Sequence, residues 1–482
     1  MGGMELWAIV PELTLAGLIL ILLPLGPFLP KNQKYLATWI ALLGLVAVAI
    51  ESVQMLFFAT QPIFLATYAV DQFAVFFKLF AVASTAFVLL ATQSHFRGRP
   101  HEGEVPALLL LTCLGIMGLA ASQDLALIAL FIQLVTVSSY ILVGIAKENR
   151  LATEAALKMF LFSATVGAVM IYGMVLLFGL TGTLRLPELA TKLPAMPVVT
   201  VIVAFLLVLA GYGFEVTLVP FHTWAPDVYQ GAPTPIAGFL SVGPKAAGLA
   251  ILLRTLVVAF PHNMGHWAEI IAVIAAVTMT VGNIFALRQT SLKRLLAYSS
   301  IGQVGYMLVG VAAAERSVLA VPGMLLYLAV YLFMNLGAFL AVDAIERQLH
   351  SDDIRQLPAL GRGLPVTAAV LAICLLSLAG FPPFGGFVGK TMLFGAAIGA
   401  GWTWLAMVML VNIAVSLYYY ARVLEPIYFR PLPGIALQRE PAALRFVLIV
   451  LGVGTFISGA LPQAWVLLAT HASSLLAAVL PH

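Results

Sequence analysis

Residues 198–230 read VVTVIVAFLLVLAGYGFEVTLVPFHTWAPDVYQ, an apolar run long enough to cross a bilayer but interrupted from within. Pro220 cannot continue an ordinary helix, because its ring removes a backbone donor and clashes with the preceding turn. A second long run, residues 365–399, is interrupted in the same way by AGFPPFGGFVGK at residues 379–390. Interrupted helices at membrane depth are tolerated only where they line a cavity or pack within protein. The two interruptions therefore predict a helical membrane protein with a functional interior.

The composition supports this interpretation. Hydrophobic residues make up 62% of the 482 residues and charged residues 9%, against about 45–50% and about 25% in soluble domains. This leaves too little charge to coat a water-facing surface, which excludes a soluble enzyme, a nucleic-acid-binding protein and a disordered scaffold. A transmembrane barrel is excluded because its strands would alternate apolar and polar residues. An all-α polytopic membrane protein remains.

The apolar pattern predicts about fourteen transmembrane helices. Their limits are 7–29, 35–59, 67–93, 106–122, 124–146, 156–180, 198–229, 232–259, 266–287, 293–312, 317–343, 365–399, 402–429 and 443–469. Spans seven and twelve carry the interruptions. Because an odd number of spans separates equivalent helices of opposite direction, spans 4–8 and 9–13 are predicted to be two inverted five-helix repeats.

This pattern predicts one membrane domain over residues 1–482. Its parts are three N-terminal helices (1–105), a first repeat (106–259), a second repeat (260–429) and a C-terminal helix (430–482).

The distribution of basic residues orients the chain. Of 24 Lys and Arg, fifteen lie in or near connections after odd-numbered spans, four in or near connections after even-numbered spans and five deeper within spans. Because cytoplasmic connections carry an excess of Lys and Arg, both termini are predicted to face outward from an inner (plasma) membrane.

Ionisable residues within spans are costly and indicate function by default. Lys245 and Lys390 are the strongest candidates, because a row of such groups with polar residues between them is what a proton path needs. The others have structural alternatives. Glu154 and Lys158 are four residues apart and fit an intrahelical pair, and His222 could cap backbone groups freed by Pro220. Lys78 and Arg422 fit packing or interhelical pairing, whereas Glu12 and Asp71 lie near span ends and fit a solvated position.

Four blocks of the chain resemble the sequences of one protein family. They are LVPFHTWAPDVYQGAPTPIAGFLSVGPKAAG (218–248), EAALKMFL (154–161), NIFALRQTSLKRLLAYSSIGQVGYM (283–307) and AGFPPFGGFVGK (379–390). The chain resembles the antiporter-like membrane subunits of proton-pumping NADH–quinone oxidoreductase, respiratory complex I, and within them the branch called subunit N.

The resemblance implies a role in proton translocation. It places Lys158, Lys245 and Lys390 in a row of Lys, Glu and His through the middle of the membrane domain, with Lys293 on the cytoplasmic side. It implies no cofactor in this subunit; NADH, FMN, iron–sulfur clusters and quinone belong to partner subunits. The implied partners are other membrane subunits of the same complex and the lipid bilayer, without nucleic acid.

Three positions depart from the family pattern. Gln133 stands where span five usually has Glu, Glu215 where span seven usually has Lys, and Gln303 where span ten usually has His. Because a buried lone carboxylate is costly, Glu215 is expected within reach of Lys245 or Lys158, directly or through a water. Two alternatives stay open. A cation/proton antiporter subunit shares the fold, although the subunit N-like motifs argue against it, and Gln133 and Glu215 keep open a non-pumping spacer of the same complex.

Overall fold

The computed structural model describes residues 7–57, 61–64, 66–260, 264–357, 360–430 and 438–477. The fold is helical apart from one small antiparallel hairpin of β1 (Gln61–Ile63) and β2 (Tyr68–Val70). The helices are α1 (Val10–Phe28), α2 (Tyr35–Gln54), α3 (Gln72–Phe96), α4 (Val105–Ala121), α5 (Leu125–Val143), α6 (Arg150–Thr181), α7 (Leu186–Lys192), α8 (Val198–Val216), α9 (Ala225–Gly231), α10 (Thr234–Ala259), α11 (Met264–Leu287), α12 (Leu292–Ala312), α13 (Ala320–Leu349), α14 (Leu360–Gly363), α15 (Pro365–Ala379), α16 (Gly385–Gly399), α17 (Thr403–Phe429), α18 (Ala442–Ala460) and α19 (Pro462–Ala477).

Twelve helices within the described part of the chain are long and apolar enough to cross a membrane. Two shorter apolar helices, α4 and α15, fall at the predicted spans four and twelve. The chain is therefore a multi-pass helical membrane protein.

Both predicted interruptions are present. α8 ends at Val216 and the chain resumes as α9 only at Ala225, while α15 ends at Ala379 and α16 begins at Gly385. Thr217 and Gly380 have positive φ, +65° and +88°, so each helix ends in a left-handed residue that turns the chain away. The Val219–Pro220 and Pro382–Pro383 peptide bonds within the interruptions are cis.

Two predicted boundaries are wrong. Span three was expected from residue 67, but the hairpin occupies this stretch and α3 begins at Gln72, where the Asp71 side chain accepts a hydrogen bond from the Ala74 amide at 2.7 Å. Such a cap fixes a helix start. The last span was expected as one helix over 443–469. The structure instead ends α18 at Ala460 and starts α19 at Pro462, because proline suits the first turn of a helix and not its interior. Residues 1–6 and 478–482, which hold the two termini, lie outside the described part.

Three helices form the centre of the bundle. α10, α12 and α13 are almost wholly buried, whereas α1, α2, α6 and α17 expose most of their apolar surface, as lipid-facing helices do. Small residues let neighbouring helices approach closely: a Cβ on Gly282 of α11 would lie 2.4 Å from the backbone nitrogen of Gly302 on α12. Close backbone approach at small residues is how membrane helices pack without a hydrophobic driving force.

Candidate proton-path residues

Lys390 lies at the second interruption. A helix that ends inside the bundle leaves carbonyl groups without partners, and the Lys390 ammonium donates to two of them, the carbonyl oxygens of Leu378 at 2.7 Å and Ala379 at 3.3 Å. Its Nζ also lies 4.4 Å from the centre of the Tyr306 ring. Lys390 is 3% exposed. A cation at a helix carboxyl end is favoured by the backbone dipoles, so α15 and α16 together build a buried cation site.

Lys245 lies on α10 and is 1% exposed. Its Nζ donates to the Ser300 hydroxyl at 2.7 Å and lies 5.6 Å from the centre of the Tyr229 ring. The Ser300 hydroxyl in turn donates to the Ala297 carbonyl at 2.7 Å. Among the described residues, no carboxylate lies within 4.0 Å of Lys245 or Lys390. Both lysines are therefore buried and hydrogen-bonded, but neither has an ion-pair partner there.

A series of polar groups lies between the two lysines, in which no hydrogen bond joins Ser300 to Gln303 among the described residues. Gln303 follows Ser300 by one turn of α12, and its amide donates to the Leu378 carbonyl at 3.0 Å, the same oxygen that Lys390 contacts. The Gln303 amide also donates to the Tyr420 hydroxyl at 3.2 Å and accepts from the Tyr327 hydroxyl at 2.5 Å. We call the series Lys245, Ser300, Gln303, Leu378 carbonyl and Lys390 the central line.

The structure places Lys158 elsewhere than expected. Its side chain is 40% exposed and pairs with Glu154 at 2.9 Å and with Asp227 of α9 at 2.7 Å. Asp227 also pairs with Arg294 at 2.6 Å. The intrahelical alternative for Glu154 and Lys158 is thus the observed geometry, and neither contacts Lys245. One missed residue is Asp227, whose signal was an acid in the APDVYQ block at the end of predicted span seven.

Glu215 is buried at the end of α8 but does not reach a lysine directly. No ion pair within 4.0 Å involves it among the described residues, so a direct contact with Lys245 or Lys158 is not observed, and a contact through a water stays a prediction. Its carboxyl contacts the Thr136 hydroxyl on α5, and its Cβ would lie 3.1 Å from a Cβ on Gly248, three residues past Lys245. Thr136 therefore brings α5 next to Glu215.

The remaining candidates, Gln133, His222 and Lys293, lie outside the central line. The Gln133 amide nitrogen faces α6, 3.0 Å from where a Gly167 Cβ would stand. His222 is half-buried in the first interruption, and its Nδ1 has no hydrogen-bond partner among the described residues. Lys293 pairs with Glu346 at 3.1 Å. Lys293 and Glu346 line a polar cavity of about 440 Å³. Sequence reasoning missed Glu346, which lay in a connection assigned to solvent.

A separate ionic cluster lies outside the central line. Arg254, at the far end of α10, forms a two-pronged pair with Asp71 at 2.7 and 2.9 Å and donates to the Ala120 carbonyl at 2.9 Å. Lys78 pairs with Glu12 at 2.7 Å, and both are buried. The first pair ties α3 to α10 and the second ties α1 to α3, which agrees with the pairing alternative for Lys78. The solvated alternative for Glu12 and Asp71 is wrong, because each carboxylate is paired with a buried cation.

Comparison with known proteins places the chain in a family. Residues 122–416 match the family described as NADH:quinone oxidoreductase/Mrp antiporter, transmembrane. NADH-quinone oxidoreductase subunit N of Trichlorobacter lovleyi is 37% identical over 461 residues, covering 94% of each chain. A chain of respiratory complex I from Thermus thermophilus is 31% identical with a TM-score of 0.80, covering 96% of this chain and 100% of that one.

A chain of the Mrp complex from Dietzia shares the fold, with a TM-score of 0.88 over 99% of both chains, at 20% identity. The fold alone therefore does not separate the antiporter alternative, whereas the sequence relationship does, because it covers nearly the whole length of a subunit N relative. The chain belongs to the NADH:quinone oxidoreductase/Mrp antiporter membrane family and, within it, to the subunit N branch of NADH-quinone oxidoreductase.

Proposed function

We propose that the chain translocates protons as a membrane subunit of an NADH–quinone oxidoreductase, and that the protons move along the central line. The observation that carries this proposal is the row of buried polar groups between Lys245 and Lys390 at the centre of an otherwise apolar bundle. Polar residues inside membranes are expensive and mark ion pathways. The redox chemistry, with its NADH, FMN, iron–sulfur clusters and quinone, belongs to partner subunits.

Each group on the central line has a definite task. Lys245 and Lys390 hold and release protons. The Ser300 hydroxyl accepts from Lys245 while donating to the Ala297 carbonyl, which turns its lone pair toward the lysine. When it takes a proton from Lys245, its own hydrogen leaves this carbonyl and passes to a neighbouring water. Gln303 has no proton to exchange, since an amide is not ionisable near neutral pH. Transfer past it therefore runs through the flanking tyrosine hydroxyls or water, with the amide keeping these groups in place.

The topology proposed with this function has fourteen spans. The twelve long helices, α4 and the interrupted pair α15–α16 supply them. The similar interruptions after α8 and after α15 support inverted repeats over spans 4–8 and 9–13. The positive-inside rule puts both termini on the outer side of the inner membrane. Lys158, with Glu154 and Asp227, is half-exposed on α6, and we assign this face to a neighbouring membrane subunit that would cover it.

The test is Lys245→Met in the intact complex, with quinone reduction and proton uptake measured together in proteoliposomes. Removing a proton-transfer group costs about 100-fold or more in the step it serves, so we expect at least a tenfold fall in proton translocation through this chain. Lys31→Met is the matched control, because it makes the same change at an exposed position. Normal proton uptake in Lys245→Met, with the complex assembled, would contradict the proposal.

A second candidate, the non-pumping spacer, remains because Gln133 and Gln303 are neutral and because no ion pair involves Glu215 among the described residues. Glu215→Gln keeps the contact with Thr136 and removes only the acid. If the chain pumps and uses Glu215 as a switch, Glu215→Gln should lower the number of protons translocated per electron. If the chain is a spacer, neither Glu215→Gln nor Lys245→Met should change that number.

A further inference from the structure

An apolar cavity of about 500 Å³ lies between α3, α13 and α19, away from the central line. It is lined by Phe76 and Phe80 of α3, Phe333 of α13, and Trp465 and Leu468 of α19. Apart from one polar pair at its end, every described residue that lines the cavity is apolar or aromatic. Small-molecule sites have this range of volume and this mostly apolar character, with a few placed polar groups. The cavity therefore has the size and chemistry of a site for a largely apolar ligand.

The two ends of the cavity differ in polarity. At one end the Gln72 amide nitrogen lies 3.2 Å from His471 Nε2, and Gln72 is the first residue of α3, at the membrane boundary. Further in, the rings of Phe333 and Trp465 meet edge to face with their centres 5.5 Å apart. The innermost α3 residue of the lining, Ala83, follows Gln72 by eleven residues, which is about 16 Å of helix. Half of a hydrocarbon core of about 30 Å is about 15 Å, so the cavity spans one leaflet of the bilayer.

The cavity opens sideways on the surface of the bundle. Three of its lining residues, Leu56, Leu467 and Leu468, are 41%, 70% and 49% exposed. Inside a bilayer such a surface meets acyl chains and not water. A water needs about two to four polar partners to enter a cavity, which these walls do not offer, and an empty space would leave the wall atoms without dispersion contacts on one side. The occupant that fits the walls, the length and the opening is therefore an acyl chain.

We propose that this cavity binds one acyl chain of a phospholipid, with the ester groups of that lipid at Gln72 and His471. The topology proposed above places these two residues at the outer surface, so the lipid belongs to the outer leaflet. A glutamine amide has two N–H donors and an imidazole has at least one, which leaves donors for the ester carbonyl oxygens while the aromatic walls hold the chain. This inference goes beyond the proposed function and does not depend on proton translocation.

The bound chain supports α13 from behind. Ala329 and Phe333 are four residues apart on the face of α13 that lines the cavity. Tyr327 and Tyr331 lie on the opposite face of the same helix, and the Tyr327 hydroxyl donates to Gln303 of the central line at 2.5 Å. The lipid thus packs behind the helix that brings these tyrosines to the centre of the bundle, and its removal should lower the stability of the chain.

The test uses the intact complex in vesicles of phosphatidylethanolamine and phosphatidylglycerol, with a trace of phosphatidylethanolamine that carries a diazirine midway along one acyl chain. The complex is extracted with a mild detergent, washed free of loosely held lipid and illuminated, and the cross-linked residues are identified by peptide mass spectrometry. We expect cross-links to survive the wash at Phe80 and Trp465 and to disappear at Val411, which is 60% exposed on α17. Survival of the wash separates a held chain from the lipid that surrounds every membrane helix.

Ala83→Phe tests the cavity itself, because its ring would occupy the inner end. Overpacking of this kind should lower the cross-linking that survives the wash about tenfold or more. Ala414→Phe is the matched control, since it makes the same change at an exposed position on α17 and should leave the retained cross-links unchanged. The melting temperature of the complex gives a second readout. Delipidation should lower it and added phosphatidylethanolamine should restore it, and Ala83→Phe should respond less to both.

Two results would overturn the proposal. Equal loss of the cross-links at Trp465 and Val411 on washing would mean that the cavity holds only exchanging bilayer lipid. No cross-link at Trp465 in the vesicles themselves would mean that a neighbouring subunit covers the cavity. Should Ala83→Phe fail to assemble, the comparison of the two positions in the unmodified chain decides alone. Neither result bears on Lys245→Met, so the lipid site and the proposed function stand or fall separately.

Discussion

Asp71→Asn should destabilise the chain by about 3–5 kcal/mol, the usual cost of removing one partner from a buried ion pair. The Arg254 guanidinium is 1% exposed. Its remaining contacts would be the Ala120 carbonyl and the face of Phe73, whose ring centre is 5.1 Å away. Asparagine still caps helices well, so the start of α3 is preserved and the change isolates the charge. The measurement is the melting temperature of the purified complex, together with the amount of chain in the membrane.

Two controls test whether the loss of stability comes from the unpaired charge of Arg254. Asp353→Asn breaks an exposed pair with Arg355, and such pairs contribute little in water, so it should change the melting temperature hardly at all. The double variant Asp71→Asn with Arg254→Met removes both charges and should be more stable than Asp71→Asn alone. If the double variant is instead the least stable of the set, the cost comes from lost packing at Arg254 and not from an unpaired charge.

The general architecture was predictable from the sequence because apolar run length and proline placement act locally. Pro220 and Pro383 disfavour a continuous helix, and both interruptions occur where they were predicted, although α10 carries Pro244 without interruption. The break between α18 and α19 was missed. Pro462 carried the same signal, but the apolar residues on both sides of it read as one span.

The site was predictable only in part, because partners come from distant segments. A buried lysine in an apolar run is visible in the sequence, and Lys245 and Lys390 are both buried. The sequence did not show which groups satisfy them: Ser300 lies 55 residues from Lys245, and Lys390 uses backbone carbonyls that any residue would supply. Lys158 looked the same in sequence, but its helix lies at the edge of the bundle, where Asp227 reaches it. Burial depends on tertiary packing, which apolar periodicity does not report.

Gly386→Ala should destabilise the second interruption by about 3 kcal/mol or more, the upper range for overpacking a close contact. A Cβ on Gly386 would lie 1.9 Å from the Ser377 carbonyl oxygen, which is backbone and cannot rotate away. The same glycine donates its amide to the Ser377 hydroxyl at 3.0 Å, so it locks the start of α16 against the end of α15. Gly17→Ala is the matched control, because nothing lies within 4 Å of its Cβ position, and alanine is favoured over glycine by about 0.5–1 kcal/mol inside a helix.

The contact at Gly386 also sets the position of the Lys390 side chain. Lys390 follows Gly386 by about one turn of α16, so any shift that relieves the clash moves its ammonium away from the Leu378 carbonyl, the oxygen it shares with Gln303. Gly386→Ala is therefore expected to lower both the melting temperature and the proton uptake of the complex, whereas Gly17→Ala should lower neither. Normal proton uptake in a destabilised Gly386→Ala complex would mean that Lys390 keeps its place without the α15–α16 lock. The cation site would then be held by the carbonyl ends of α15 alone.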